Sequence, residues 1–375
     1  MFQLAAGLIG FYVIGRYVWP LKLGVIAKVI LSAAVLVVAE HQWLVSQIAG
    51  SMASPESPRW LIIGFGAAYG ALILLACFLA LKDLLGGLLY LASRSAGVRV
   101  LAGRRLPHFM AVLALSLGAW GTSQAVRVPE VRKLELPVAG LAPEFDGYRI
   151  VHLTDLHISR LFHGPWVDAV VDKANMLNPD LILISGDLVD GTPEIRQNDY
   201  PPLGRLSAEN GVYAVTGNHE YYAAFSQWIE VFRGLGVTVL ENEHALIQVG
   251  EGSLVIAGVP DQIGPRHGQI GPDVEKALAG RPRGVPVILM DHRPGGARNN
   301  QAQGVDVQLS GHTHGGHIRG LDLLVARFNA GFVSGLYEVG GMHLYVSNGA
   351  GLWPGFPQRI GRPSEITEIT LRRSS

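Results

Sequence analysis

The chain opens with four apolar stretches. Residues 2–18 and 23–39 are short, and each carries one basic residue, Arg16 or Lys28. Residues 60–81 are longer, and neither they nor residues 109–126 carry a charge. A helix of about 20 apolar residues crosses a bilayer. The last two stretches fit that length, and the first two fit it marginally, with Arg16 and Lys28 reaching for an interface. Residues 2–18 have no basic start and are followed by further apolar stretches, which argues against a cleaved signal peptide. Residues 1–127 are therefore expected to form a membrane region of about four transmembrane helices.

Residues 128–146 contain Pro129, Pro137 and Pro143 and read as a linker. From Gly147 the pattern changes to short apolar runs alternating with amphipathic or turn-rich pieces. Runs at 149–153, 181–185, 212–215, 255–258, 287–290, 307–309 and 344–346 predict buried strands. Residues 166–176 and 223–235 predict helices between them. That order points to an α/β domain over 147–375, with its sheet faces covered.

Charge and composition sharpen this division. Charged residues make up 16% of the chain, against about 25% in ordinary soluble proteins. Residues 1–81 hold only Arg16, Lys22, Lys28, Glu40, Glu56 and Arg59 as charges, whereas every histidine except His41 and His108 lies beyond residue 150. Net charge is zero, so no nucleic acid is expected as a partner. The lone Cys77 sits in an apolar run as a small buried hydrophobe, and it excludes an intramolecular disulfide or a thiolate zinc site. Residues 82–107 carry Lys82, Arg94, Arg99, Arg104 and Arg105 against Asp83 alone. Read as a cytoplasmic loop, this segment places the domain that follows on the outer side of the cell membrane. Arg127, Arg132 and Lys133 pull the other way.

The chemistry lies just beyond the predicted strands. Asp155-Leu156-His157 follows the first, Gly186-Asp187 the second, and Gly217-Asn218-His219-Glu220 the third. Asp291-His292 and Gly311-His312-Thr313-His314 follow two later ones. In α/β sheets, ligands bind in the crevice beyond the carboxyl ends of the strands, so all five sets would converge there. Oxygen and imidazole donors without thiolates suit Mn, Fe, Zn, Ni or Mg. A single Asp-x-His is a weak signal; the ordered set is a strong one.

With these motifs in view, the chain resembles the calcineurin-like metallophosphoesterase superfamily, and within it bacterial membrane-associated members of the YkuE and YaeI kind. The likeness covers about residues 147–371, including 211–220, 304–316, 344–349 and 363–366. It implies two packed mixed β-sheets flanked by helices, here preceded by the N-terminal helical region. It also implies two divalent metal ions (Mn, Fe, Zn or Mg). Asp155, His157 and His314 would hold the first, Asn218, His292 and His312 the second, and Asp187 would bridge them. His219 would act on the reacting phosphate without binding metal. The implied reaction is hydrolysis of a phosphomonoester or phosphodiester by a metal-bridging hydroxide.

Two positions depart from the family pattern. His317 stands where a glutamine usually follows the Gly-Gly pair, and is expected to replace an amide hydrogen bond. Asp291 and Arg293 flank His292, which leaves open a hydrogen bond from Asp291 to a ligating histidine. His152 reads as a core residue, His163 as a possible substrate neighbour and Asp190 as a loop organiser. His244, His267 and His343 have no supporting partners in the sequence. Attachment to a bilayer makes lipid-linked phosphates candidate substrates. A UDP-diacylglucosamine-type pyrophosphohydrolase and a non-catalytic metal-binding membrane scaffold or sensor are the alternatives. The complete ligand set argues against the scaffold, and the lack of acidic residues within the apolar stretches argues against a transporter.

Overall fold

The computed structural model describes residues 2–374. It divides into two compact units, residues 1–125 with 354–360, and residues 126–353 with 361–375.

The first unit contains α1 (Phe2–Val13), α2 (Val25–Ala39), α3 (His41–Ile48), α4 (Arg59–Ala92), α5 (Arg94–Ala102) and α6 (Arg105–Ala125). Among the described residues, one helix, α4, is long and apolar enough to cross a membrane. The number rises to three if the bent pairs α2–α3 and α5–α6 each make one span. Residues 82–107, read as a loop, are largely helical, forming the end of α4 and all of α5. Arg16 does not reach for an interface. Its Nε donates to Asp83 Oδ2 at 2.7 Å, and Lys28 donates to the carbonyl of Trp19 at 2.8 Å. Cys77 is exposed on α4 and not buried, because apolar side chains cover the opposite face of that helix.

Helices α4 and α6 pack closely at small residues. A methyl group on Gly118 would collide with the backbone of Ala67 and Ala71, as expected where helices associate through small side chains. Gln358 enters this unit from residues 354–360. Its Nε2 lies 2.9 Å from the Gly66 carbonyl, 3.2 Å from the Gly118 carbonyl and 2.6 Å from Thr122 Oγ1. An amide buried among helices requires such partners.

The second unit begins with β1 (Glu130–Val138), inside the stretch read as a linker. Then come β2 (Arg149–Leu153), α7 (Gly164–Asn175), β3 (Leu181–Ser185), α8 (Pro193–Arg196), β4 (Val212–Val215), α9 (Phe225–Gly234), β5 (Thr238–Val239), β6 (Glu243–Val249) and β7 (Gly252–Gly258). The unit continues with α10 (Val274–Ala277), β8 (Val287–Met290), α11 (Ala297–Ala302), β9 (Val307–Ser310), α12 (Asp322–Phe328), β10 (Gly335–Val339), β11 (Met342–Val346) and β12 (Glu365–Arg373). Pro137 is tolerated because β1 is an edge strand, with β12 as its one neighbour among the described residues.

Two mixed six-stranded sheets result, ordered β1-β12-β2-β3-β4-β5 and β10-β11-β9-β8-β7-β6. Strict alternation along the strands explains how they pack. Leu254 and Ile256 of β7, and Ile288 and Met290 of β8, join Ile150, Leu183 and Ile369 in the core between the sheets. Val255, Ala257, Val287 and Leu289 point the other way, into a second core with Val274, Ala277 and Ala297 from α10 and the start of α11. Strands buried on both faces read as continuous apolar runs, which is why the sequence showed them so clearly.

Candidate metal centre

Strands β2, β3 and β4 run parallel in one sheet, and β8 and β9 run parallel in the other. Their carboxyl ends deliver the polar residues to one place. Asp155, His157 and His314 form one group, and Asp187, His292 and His312 another. A third joins His157, Asp187 and His219. Within each group the donor atoms lie within 4.8 Å of one another. His292 Nε2 is 3.2 Å from Asp187 Oδ2, His157 Nε2 is 3.6 Å from the same oxygen, and His314 Nε2 is 3.7 Å from Asp155 Oδ1.

The backbone at these positions is strained. Among the described residues, ten that are not glycine have a positive φ, and five of them are Asp155, His157, Asp187, His312 and His314. Left-handed backbone costs a non-glycine residue free energy and gathers at functional sites. Here it turns consecutive side chains inward from the ends of the strands.

Neighbouring groups orient these side chains. The Ser185 carbonyl lies 2.7 Å from His292 Nδ1 and accepts its proton, which leaves Nε2 facing Asp187. Arg293 Nη1 is 3.1 Å from His312 Nε2, so Nδ1 is the nitrogen His312 offers to the group. Asn218 Nδ2 donates to Tyr222 Oη at 3.1 Å, which leaves the amide oxygen for the site. The backbone N–H of His219 donates to Asp187 Oδ1 at 2.8 Å, and that of His312 reaches both oxygens of Asp155 at 3.1 Å.

Three buried donor atoms, His157 Nε2, His292 Nε2 and Asn218 Oδ1, make no hydrogen bond. Buried polar atoms are nearly always satisfied. Three unsatisfied ones converging with two carboxylates fit divalent cations held by oxygen and imidazole donors. Charge is concentrated here as well. Burial pushes the Asp187 carboxyl up, but His292, His219 and His157 outweigh it and hold it well below the usual carboxylate range. Burial, with His292 and Arg293 nearby, drives His312 well below the usual histidine value.

Residues 148–316 match the family described as calcineurin-like phosphoesterase. The transmembrane protein with metallophosphoesterase domain of Danio rerio is 34% identical over 332 residues, covering 84% of this chain and 75% of that protein. The chain belongs to the calcineurin-like phosphoesterase family. It is a metal-dependent phosphoesterase, a hydrolase. An uncharacterized metallophosphoesterase of Helicobacter pylori strain J99 is 33% identical, covering 75% of this chain and 73% of its own. YkuE of Bacillus subtilis, also an uncharacterized metallophosphoesterase, is 31% identical over 62% of this chain and 81% of its own.

Sequence reasoning missed several residues of this phosphoesterase site or gave them other roles. Asp190 is fully buried, its carboxylate 2.5 Å from His219 Nδ1 and 3.3 Å from His157 Nδ1. It organises imidazoles more than it organises a loop; the one available signal was its place three residues after Asp187. Glu220 is buried and accepts from the N–H groups of Gly217, Asp187 and Leu188 at 2.7, 3.1 and 2.7 Å. Arg293 is held by Asp261 at 2.7 Å, a contact that no sequence spacing could announce. With His312, Arg293 lines a cavity of about 640 Å³ whose wall also includes Asn299, Asn300 and Gln303.

Other candidates fall outside the three groups. Asp291 bonds Asn300 at 2.9 Å and not a ligating histidine. His317 lies near His314, with ring centres 5.2 Å apart, and His163 sits at the start of α7. His152 is a core residue, its Nε2 2.9 Å from Ser185 Oγ. The 344–349 and 363–366 motifs meet each other: Tyr345 Oη and the Asn348 N–H both donate to Glu365 Oε1, at 2.7 and 3.1 Å. This junction holds Gly349 against Asp155, where a side chain would not fit.

Proposed function

We propose that Asp155, His157 and His314 hold one divalent cation and Asn218, His292 and His312 a second, with Asp187 shared between them. The observation that carries this reading is the set of three buried, hydrogen-bond-free donor atoms at His157, His292 and Asn218. When bound, such a pair neutralises phosphoryl charge and supplies an activated water at neutral pH. The chain does the rest. Arg293, braced by Asp261, presents its guanidinium to a phosphate entering the cavity. His219, fixed through Nδ1 by Asp190, keeps Nε2 for the leaving oxygen and passes a proton to it.

The substrate we propose is a lipid-linked phosphate ester or pyrophosphate. The support is a helix long enough to cross a bilayer in the same chain, as in a relative named as a transmembrane protein. The basic residues of 82–107 support a multi-pass chain with the phosphoesterase unit outside the cell membrane. Alkaline phosphatase and green fluorescent protein fused after Val128 would test that side. An active phosphatase with a dark fluorophore is expected; the reverse places the unit in the cytosol and favours a cytosolic lipid-precursor pyrophosphate.

Metal analysis and turnover of Asp187→Ala test the centre itself. Both should be lost together, and retention of two metals with full turnover would overturn the shared carboxylate. The same preparation of the unaltered chain, loaded in turn with Mn, Fe, Zn and Mg, should be assayed on a phosphomonoester, a phosphodiester and a lipid pyrophosphate. Those rates assign the bond that is cleaved.

A further inference from the structure

Helix α12 is amphipathic in the wrong sense for a water-facing surface. Leu323, Leu324 and Phe328 are 76%, 61% and 80% exposed, whereas the acidic Asp322 at its start is buried. At roughly 100° per residue, Leu323, Arg327, Leu324 and Phe328 fall on one outward face, and Asp322, Val325 and Ala326 on the other. The inward face is anchored. Asp322 accepts from the Gly320 N–H at 2.8 Å and from Arg362 Nε at 3.0 Å, so the apolar face cannot roll inward without breaking that pair.

The charge around this face is also one-sided. Arg319 and Arg327 are exposed. Asp322, engaged by Arg362, is the sole acidic residue from His317 to Tyr337. Large apolar side chains flanked by arginines are the composition of an element that lies in a membrane interface, and the cations add attraction to anionic headgroups. The chain carries its own candidate span, and only residues 126–129 separate α6 from β1. Phe328 further lines the cavity that contains Arg293 and His312.

We infer that the outward face of α12 inserts into an anionic lipid surface and holds the mouth of the phosphoesterase cavity at the headgroup layer. The inference goes beyond the metal-centre reading, and its test leaves the metal ligands untouched, so either can fail alone. Cys77 is the chain's one cysteine, which permits single-site labelling. In a Cys77→Ser background, Leu323→Cys, Phe328→Cys and, as a control, Met176→Cys (Met176 is 70% exposed on another helix end) would each carry an environment-sensitive fluorophore.

The full chain would be placed in nanodiscs of phosphatidylglycerol and phosphatidylcholine with doxyl-labelled lipid. Labels at 323 and 328 should shift to the blue and be quenched several-fold more than the label at 176. Discs of phosphatidylcholine alone should weaken both effects. Labels at 323 and 328 no more quenched than the one at 176 would overturn the inference; a face reserved for a protein partner gives that pattern. Undiminished quenching in the neutral discs would overturn the anionic specificity.

Discussion

Asp190 Oδ1 lies 2.5 Å from Nδ1 of His219, and the other oxygen of the same carboxylate lies 3.3 Å from Nδ1 of His157. One buried side chain thus orients both a proposed metal ligand and the histidine proposed to act on the phosphate. Replacing such an orienting group costs about 10–100-fold in metal affinity or activity. Asp190→Asn should therefore weaken metal binding and lower kcat together. Metal titration alongside steady-state kinetics would show it, and a rate loss with unchanged metal affinity would detach Asp190 from His157.

His219→Asn should keep its metals. A proton donor contributes about 10²–10⁴-fold, so kcat on an alkyl phosphate should fall by that order, and the fall on nitrophenyl phosphate should be smaller. Equal losses on both substrates would remove the proton-transfer role.

Glu220 is a scaffold for the loop that carries Asp187. Glu220→Ala would strand the buried N–H groups of Gly217, Asp187, Leu188 and Val189, each at about 1–3 kcal/mol. The expected destabilisation is about 3 kcal/mol or more, with metal content reduced. Glu220→Gln keeps an acceptor oxygen and should recover part of the loss. Denaturant titration of the detergent-solubilised chain measures both variants.

Burial drives the His152 imidazole down to about 3. The folded chain therefore keeps His152 neutral over a range in which the unfolded chain, titrating near 6.5, takes up a proton. The stability that depends on neutral His152 is present above about pH 6.5 and is lost as pH falls from there toward about 3, by up to about 1.4 kcal/mol per pH unit. In chelated samples, His152→Gln should gain about 2 kcal/mol on the unaltered chain between about pH 7 and pH 5. A difference that stays constant over that interval would mean that His152 contributes nothing to acid lability.

How far the sequence carried depends on what each feature leaves in it. Strands β3 and β8 were visible with their ends because both faces are buried and nearly every position is apolar. Beyond the carboxyl ends of the strands, Asp155, His157 and His314 come together in one group and Asp187, His292 and His312 in another. Strand β1 was hidden because Pro129 and Pro137 suggested a linker and only one of its faces packs, with Leu136 and Val138 buried and their neighbours open. Glu220 was read as part of a motif, without its role as an acceptor for four N–H groups. The Arg293–Asp261 pair joins residues 32 positions apart, and no local pattern encodes such a contact.

The pairing of β1 with β12 also has a consequence in time. Strand β12 lies between β1 and β2 and bonds to both, yet everything from Ala139 to Ser364 is synthesised between β1 and β12. On the ribosome, β1 must wait as an unpaired edge while β2, β3 and β4 form their own sheet beside it. Ribosomes that stop before Glu365 would leave two open edges, at β1 and at β2, and open edges recruit other chains. The phosphoesterase unit therefore closes late, and incomplete chains should be found in aggregates or bound to chaperones and not as a folded, metal-loaded core.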